Sequence, residues 1–222
     1  MNSLQQPTLL RNLVWAVLAT AGAYMLAFSI QINWLSEFDR WFGISAFFLP
    51  HGVRVLSAMI LRQWSIPGLF VGSLVGSLIV FGGISWPALL AALCSAIFPY
   101  ASMYLLDQLL GSDRLLVRLN VLRFALIVLV SGLANSVSTT IVFSSVGMIP
   151  EFSLTHIAVM WSGDILGACF LIALLWGVVR FARQFILRSH RSTQLPTPHE
   201  AFEATGLVAG SLIVLHVVTE RL

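Results

Sequence analysis

Residues 47–76 read FFLPHGVRVLSAMILRQWSIPGLFVGSLVG. Only Arg54 and Arg62 in this stretch are charged when histidine is neutral. It holds two apolar runs, one on each side of Arg62, and a proline stands near the front of each: Pro50 and Pro67. A hydrocarbon core of about 30 Å is crossed by roughly 20 apolar residues in helix. Two such runs back to back read as two transmembrane helices joined by a short basic turn.

The rest of the chain is built the same way. Of its 222 residues, 58% are hydrophobic and 9% are charged. The mean hydropathy is +0.92. A water-soluble domain of that length carries far more polar surface. The expected fold is therefore an all-α polytopic transmembrane helix bundle. Candidate spans are Leu13–Trp34, Gly43–Leu61, Ile66–Gly82, Trp86–Leu106, Leu122–Val146 and Thr155–Phe181, with a short seventh at Thr205–Val218. The first reads as an uncleaved anchor, being too long for a signal-peptide core. This divides the chain into a transmembrane domain over residues 1–183, a basic and proline-containing cytoplasmic linker over 184–204, and a C-terminal hydrophobic helix over 205–222.

The twelve basic residues are all Arg. With the N-terminus in the cytoplasm, nine of them (Arg11, Arg62, Arg114, Arg118, Arg123, Arg180, Arg183, Arg188 and Arg191) fall inside, and Arg40 and Arg221 fall outside. Arg54 lies within a span. The positive-inside bias thus supports that orientation. A net charge of +3 gives no reason to expect nucleic acid as a partner. The lipid bilayer is the first partner. Cys94 and Cys169 lie in apolar runs without metal-ligand spacing and read as packing residues. No phosphate-binding loop, dinucleotide fingerprint or internal repeat occurs, and neither cofactor nor metal is expected.

Helices in lipid associate through close backbone approach and polar contacts. Gly68, Gly72 and Gly76 recur every fourth residue and make one smooth face, flanked by Ser73 and Ser77. Gly163 with Gly167, and Gly206 with Gly210, repeat the pattern. Such faces serve packing within the chain, or dimerisation through the third span. Pro67 and Pro87 stand in first turns, where proline costs little. Pro50 and Pro99 fall inside spans, and Pro50 is expected to break or kink the second span just before His51 and Gly52.

Few polar groups remain. Arg54 is about 16 Å from the outer end of its span and Asp164 about 13 Å from the outer end of its own, at about 1.5 Å per residue. An unpaired charge at mid-bilayer costs about 2.5–3.5 kcal/mol or more, so the two should meet or share a wet cavity. His51 lies one turn before Arg54, and Asn135 lies mid-span among Ser131, Ser138 and Thr139. The candidate site is therefore His51, Arg54, Asn135 and Asp164, with Trp161 and Ser162 nearby. It reads as a buried salt bridge fixing helix register, as an outward-open pocket for a small anionic ligand with backbone donors from the broken helix, or as a proton path. His156 reads as interfacial, and Ser136 and Thr140 as bonded to their own helix. No spacing supports a catalytic triad or paired carboxylates.

The motifs P-H-G-V-R at Pro50–Arg54, R-Q-W-S-I-P-G-L-F-V-G at Arg62–Gly72 and G-D-I-L-G at Gly163–Gly167 occur in an order that resembles the MASE1 family of bacterial membrane-associated sensor domains. The matching positions are Pro50, Gly52, Arg62, Pro67, Gly68, Gly72, Gly163, Asp164 and Gly167. The P-x-G-x-R form resembles that of sensor kinases responding to sugar phosphates. Members of that family have about eight spans and are fused to a kinase, cyclase or similar output domain. The resemblance implies a non-enzymatic sensory or partner-binding module whose output lies in a separate protein. The alternatives are a substrate-binding transport subunit and a structural subunit of a larger membrane complex.

Overall fold

The structure, a computed structural model, describes residues 6–41, 44–110, 121–149 and 152–189. The elements are α1 (Gln6–Trp34), strands β1 (Asp39–Trp41) and β2 (Ile44–Ser45), α2 (Leu49–Leu61), α3 (Ser65–Phe81), α4 (Trp86–Leu110), α5 (Val121–Ser145) and α6 (Leu154–Ser189). Single turns of 3₁₀ helix, Ser36–Phe38 and Arg62–Trp64, precede β1 and join α2 to α3. The chain forms two compact units that divide at Leu171, within α6.

Five helical stretches among the described residues are long and apolar enough to cross a membrane: Leu13–Trp34, Leu49–Phe81, Trp86–Leu109, Leu122–Ser145 and Leu154–Ala182. Their outward faces are apolar as well. Trp15, Leu26, Ile79, Ile141 and Leu166 are all exposed, an arrangement that suits lipid and not water.

Of the six candidate spans, the second is helical only from Leu49. The second and third candidates form one apolar stretch bent at Arg62–Trp64. α2 has 13 residues, or about 20 Å of helix, against the roughly 30 Å of a hydrocarbon core. The missing part is not helical. β2 pairs antiparallel with β1, and the backbone from Ile44 to Phe48 reaches the helix start in non-helical form. Pro50 therefore lies in the first turn of α2, where its missing N–H is no loss, and does not kink a helix already under way. Pro99 does lie inside a helix, α4, and is fully buried. Residues 184–189 of the expected linker continue α6. The remainder of the linker and the seventh segment Thr205–Val218 lie outside the described residues.

Two registers fix the directions within the first unit. Gly68 packs on Val17 and Thr20, Gly72 on Tyr24 and Gly76 on Phe28, so α3 runs parallel to α1. Leu49 meets Gln31 and Arg54 meets Tyr24, so α2 runs antiparallel to α1. The chain therefore reverses at the Arg62 turn. Arg62 adopts φ 54° there, a backbone state unusual for a residue with a side chain. Ser65 Oγ donates to its carbonyl oxygen at 2.7 Å. Asp107 bridges this turn to α5, lying 3.6 Å from the Arg62 guanidinium and 3.1 Å from that of Arg123.

The glycine face of α3 is thus occupied by α1 of the same chain. Tyr24, Ala27 and Phe28 join Leu49, Val53, Leu69 and Ala96 in one buried cluster. Gly163 and Gly167 serve differently. A Cβ on Gly163 would strike the Ser45 carbonyl oxygen and one on Gly167 the Phe48 carbonyl oxygen. Bare α6 backbone at these two positions makes room for the non-helical lead-in to α2. In the second unit, Arg180 lies over the Trp176 ring at 5.1 Å.

Candidate functional site

The site grows from the start of α2. Helix N-termini leave N–H groups without helical partners, and here each is accounted for. Phe48 N–H donates to the Gly163 carbonyl at 2.9 Å, and His51 N–H donates to the Phe48 carbonyl at 3.3 Å. Leu49 N–H donates to Gln31 Oε1 at 3.1 Å, and Pro50 has no N–H. The other end of the Gln31 amide donates to Ser45 Oγ at 3.2 Å. The broken helix therefore contributes no spare backbone donors, contrary to the expectation from sequence.

The structure brings His51, Asn135 and Asp164 together. His51 Nδ1 is 3.5 Å from Asp164 Oδ2, and Asn135 Nδ2 donates to the same oxygen at 3.0 Å. His51 Nε2 lies 3.2 Å from Ser131 Oγ. The imidazole thus hydrogen-bonds α5 and lies against Asp164 of α6, its Nδ1 having no hydrogen-bond partner among the described residues. Gly132 makes this possible, since a Cβ there would stand 3.3 Å from that of Asp164 and 3.6 Å from His51 Nε2. All four polar residues are buried. Trp161 Nε1 donates to the Leu129 carbonyl at 2.9 Å beside them. Ser162 faces outward and donates to its own helix.

The expected Arg54–Asp164 pair does not form a contact. Among the described residues Asp164 is bridged by His51, and Arg54 turns toward α1, where Nη2 donates to the Tyr24 hydroxyl at 2.9 Å. Its guanidinium lies 5.3 Å from the Tyr24 ring centroid and 5.2 Å from that of Phe48, a cation–π sandwich. The helix start explains the change. An extended residue advances about 3.3 Å against about 1.5 Å in helix. The non-helical lead-in therefore carries α2 deeper than a continuous helix would, and the residue level with Asp164 is His51, one turn earlier.

Ser131, His51 and Asp164 stand in the order of a hydrolase triad. Chemically they are something else. Ser131 Oγ donates its only proton to the Ile127 carbonyl at 2.6 Å, the hydroxyl is fully buried, and the residue does not line the adjoining cavity. A nucleophile needs a base to take that proton and a path for substrate. The arrangement is a hydrogen-bonded clamp across three helices.

That cavity has a volume of about 560 Å³ and lies between α1, the β1–β2 segment and α2–α6 within the first unit. Arg54 and Asn135 reach its wall from the interior, and Asp39, Phe81 and Phe143 line it near the ends of their elements. Arg54 is 4% exposed, and its Nε and Nη1 have no partner among the described residues. Asn135 Oδ1 and Asp164 Oδ1 are also without one. Partial burial raises the Asp39 carboxyl above its ordinary range, against a hydrogen bond with Ser45 that lowers it. No group of three or more acidic, His or Cys side chains among the described residues is placed to hold a metal ion.

Other sequence readings fare variously. Ser138 bonds its own helix, whereas Ser136 and Thr140, expected to do so, are buried without a side-chain partner. His156, expected at the interface, is buried. Cys94 is partly buried, and Cys169 lies exposed on α6. The sequence reading passes over Tyr24, Gln31 and Phe48, and places Ser131 only as a neighbour of Asn135. Gln31 was the most findable, because a lone amide in an apolar span demands a partner. Comparison with protein families, with curated proteins and with solved structures finds no match to this chain.

Proposed function

We propose that the chain is a non-enzymatic sensory module of the bacterial inner membrane that reads a small ligand in the Arg54 cavity and acts through a separate protein. The observation that carries this reading is Arg54 itself. It is a buried cation lining a cavity of ligand size, with two nitrogens that no protein group satisfies. A guanidinium used only as a structural rivet would have its donors filled. Polar side chains converging on a mostly apolar cavity are the usual make-up of a small-molecule site.

The same helix supplies a response. His51 and Arg54 are one turn apart on α2, and His51 holds Asp164 on α6 and Ser131 on α5. A ligand that draws Arg54 away from Tyr24 shifts α2 against both. In this reading the chain crosses the bilayer six times, with its N-terminus and the Arg62–Asp107–Arg123 cluster in the cytoplasm. The Arg180–Arg191 segment contacts the partner. The order of the P-x-G-x-R, P-G-x-x-x-G and G-D-x-x-G motifs supports placing it beside the MASE1 sensor domains.

Native copurification in mild detergent, followed by mass spectrometry, tests the reading. One stoichiometric membrane or cytoplasmic partner is expected, with recovery altered in Arg54→Gln. Uptake of a labelled solute by proteoliposomes of the chain alone, with no partner recovered, sinks it in favour of transport. Asp164→Ala, Arg54→Ala and the double variant test the geometry: the two charges attract without touching, so the double variant should cost less than the sum of the two singles.

A further inference from the structure

The cavity is specific about what it accepts, and the inference that follows rests on the ligand-reading role proposed above. Guanidinium carries five N–H donors in a planar fork. Tyr24 takes one of them, on Nη2, and Nε and Nη1 keep theirs. Whichever Nη2 hydrogen the phenol takes, one complete two-donor edge is left. That edge matches the two oxygens of a carboxylate. The α2 N-terminus adds nothing to it, since its donors are used. The anion-binding power of the cavity is thus a single cation among the described residues that line it.

Asn135 adds an acceptor. Its Nδ2 is committed to the Asp164 carboxylate, which sets the amide orientation. Oδ1 is left on a buried residue of the cavity wall with no donor. Phe28, Phe81, Phe143 and Met160 supply much of the remaining wall, which also carries Asp39, Ser77 and Thr139. At about 30 Å³ for each water-sized group, 560 Å³ limits an enclosed ligand to roughly twenty non-hydrogen atoms. A phosphate dianion would bring a second negative charge into a cavity that holds one cation and the Asp39 carboxyl.

We propose that the cavity binds a small carboxylic acid with an apolar body and a hydroxyl or ammonium beside the carboxylate. The carboxylate takes the unpartnered edge of Arg54 and the neighbouring donor takes Asn135 Oδ1, both buried groups that turn into the cavity to meet the ligand, and the apolar body lies against Phe28, Phe81 and Phe143.

The test is a ligand series titrated calorimetrically into the purified full chain in detergent: phenyllactate, phenylalanine, phenylpropionate and a hexose phosphate. Phenyllactate or phenylalanine should bind about tenfold tighter than phenylpropionate, which lacks the donor. The better of the two identifies the donor as hydroxyl or ammonium. The hexose phosphate should not bind. Arg54→Lys keeps the charge and loses the fork, and should weaken every carboxylate about tenfold. In Asn135→Ala the advantage over phenylpropionate should vanish. If that variant does not fold, the comparison on the unmodified chain still decides. Phenylpropionate binding as well as the others overturns the proposal. So does a hexose phosphate binding as tightly as the acids, although the pocket then remains a ligand site. Absence of binding across the series also overturns it, while partner recovery tests the wider reading independently.

Discussion

α2 and α3 are neighbours in the chain and opposites in construction. α3 has no ionisable side chain in its 17 residues, and it buries Gly68, Gly72, Ser73 and Gly76 against its surroundings. α2 is shorter, starts below a non-helical lead-in, and buries His51 and Arg54. One is held by backbone proximity, the other by directed polar contacts. Lipid offers no hydrophobic incentive for either, so each uses the only other means open to it. The glycine helix is a fixed wall. The polar half-helix has partners that a ligand can compete for.

The comparison is broken most severely where rigid backbone meets rigid backbone. Gly163→Ala or Gly167→Ala places a methyl group against a carbonyl of the lead-in to α2. Neither side can yield as a side chain does, and a loss of more than about 3 kcal/mol is expected. SDS titration of purified protein measures it. A near-parental midpoint would show that the lead-in does not pack on α6.

On the α3 side the effect should be graded. A Cβ at Gly68 meets Thr20 Cβ at 2.7 Å and the Val17 carbonyl at 2.8 Å, at Gly72 the Tyr24 side chain at 3.0 Å, and at Gly76 the Phe28 ring at 3.2 Å. Alanine should therefore cost about 2–3, about 1–2 and below about 1 kcal/mol in that order, by the same titration. Equal costs, or the reverse order, would contradict the α1–α3 register. Ser73→Ala should have the smallest effect. Its hydroxyl is buried without a partner, so removal should be neutral or stabilising by about 0.5 kcal/mol. A clear loss of stability would place a hydrogen bond there and make α3 less purely a packing helix.

The site was partly legible in advance. Depth along a span can be counted from sequence, which matches Arg54 with Asp164 and Asn135, and helical spacing adds His51 one turn before Arg54. Gly163 and Gly167 were visible as a packing face, but not as a gap for non-helical backbone. Tyr24 carried no signal, since an aromatic in an apolar span is ordinary packing. The Ser131–His51–Asp164 order was invisible because its members are 80 and 33 or more residues apart across three helices.

The sequence alone pointed to lipid as the solvent. With so few charges the chain can bury its backbone only as apolar helices, and Pro50, the glycine repeats and the scarce polar groups mark where those helices break and touch. The tertiary structure decided the pairings. Counting residues assumes one rise per residue, and the non-helical stretch before Leu49 violates it. That shift hands Asp164 to His51 and leaves Arg54 facing Tyr24 and the cavity. Depth is a one-dimensional property that a sequence can carry. Which neighbour stands at that depth depends on the packing of all six helices.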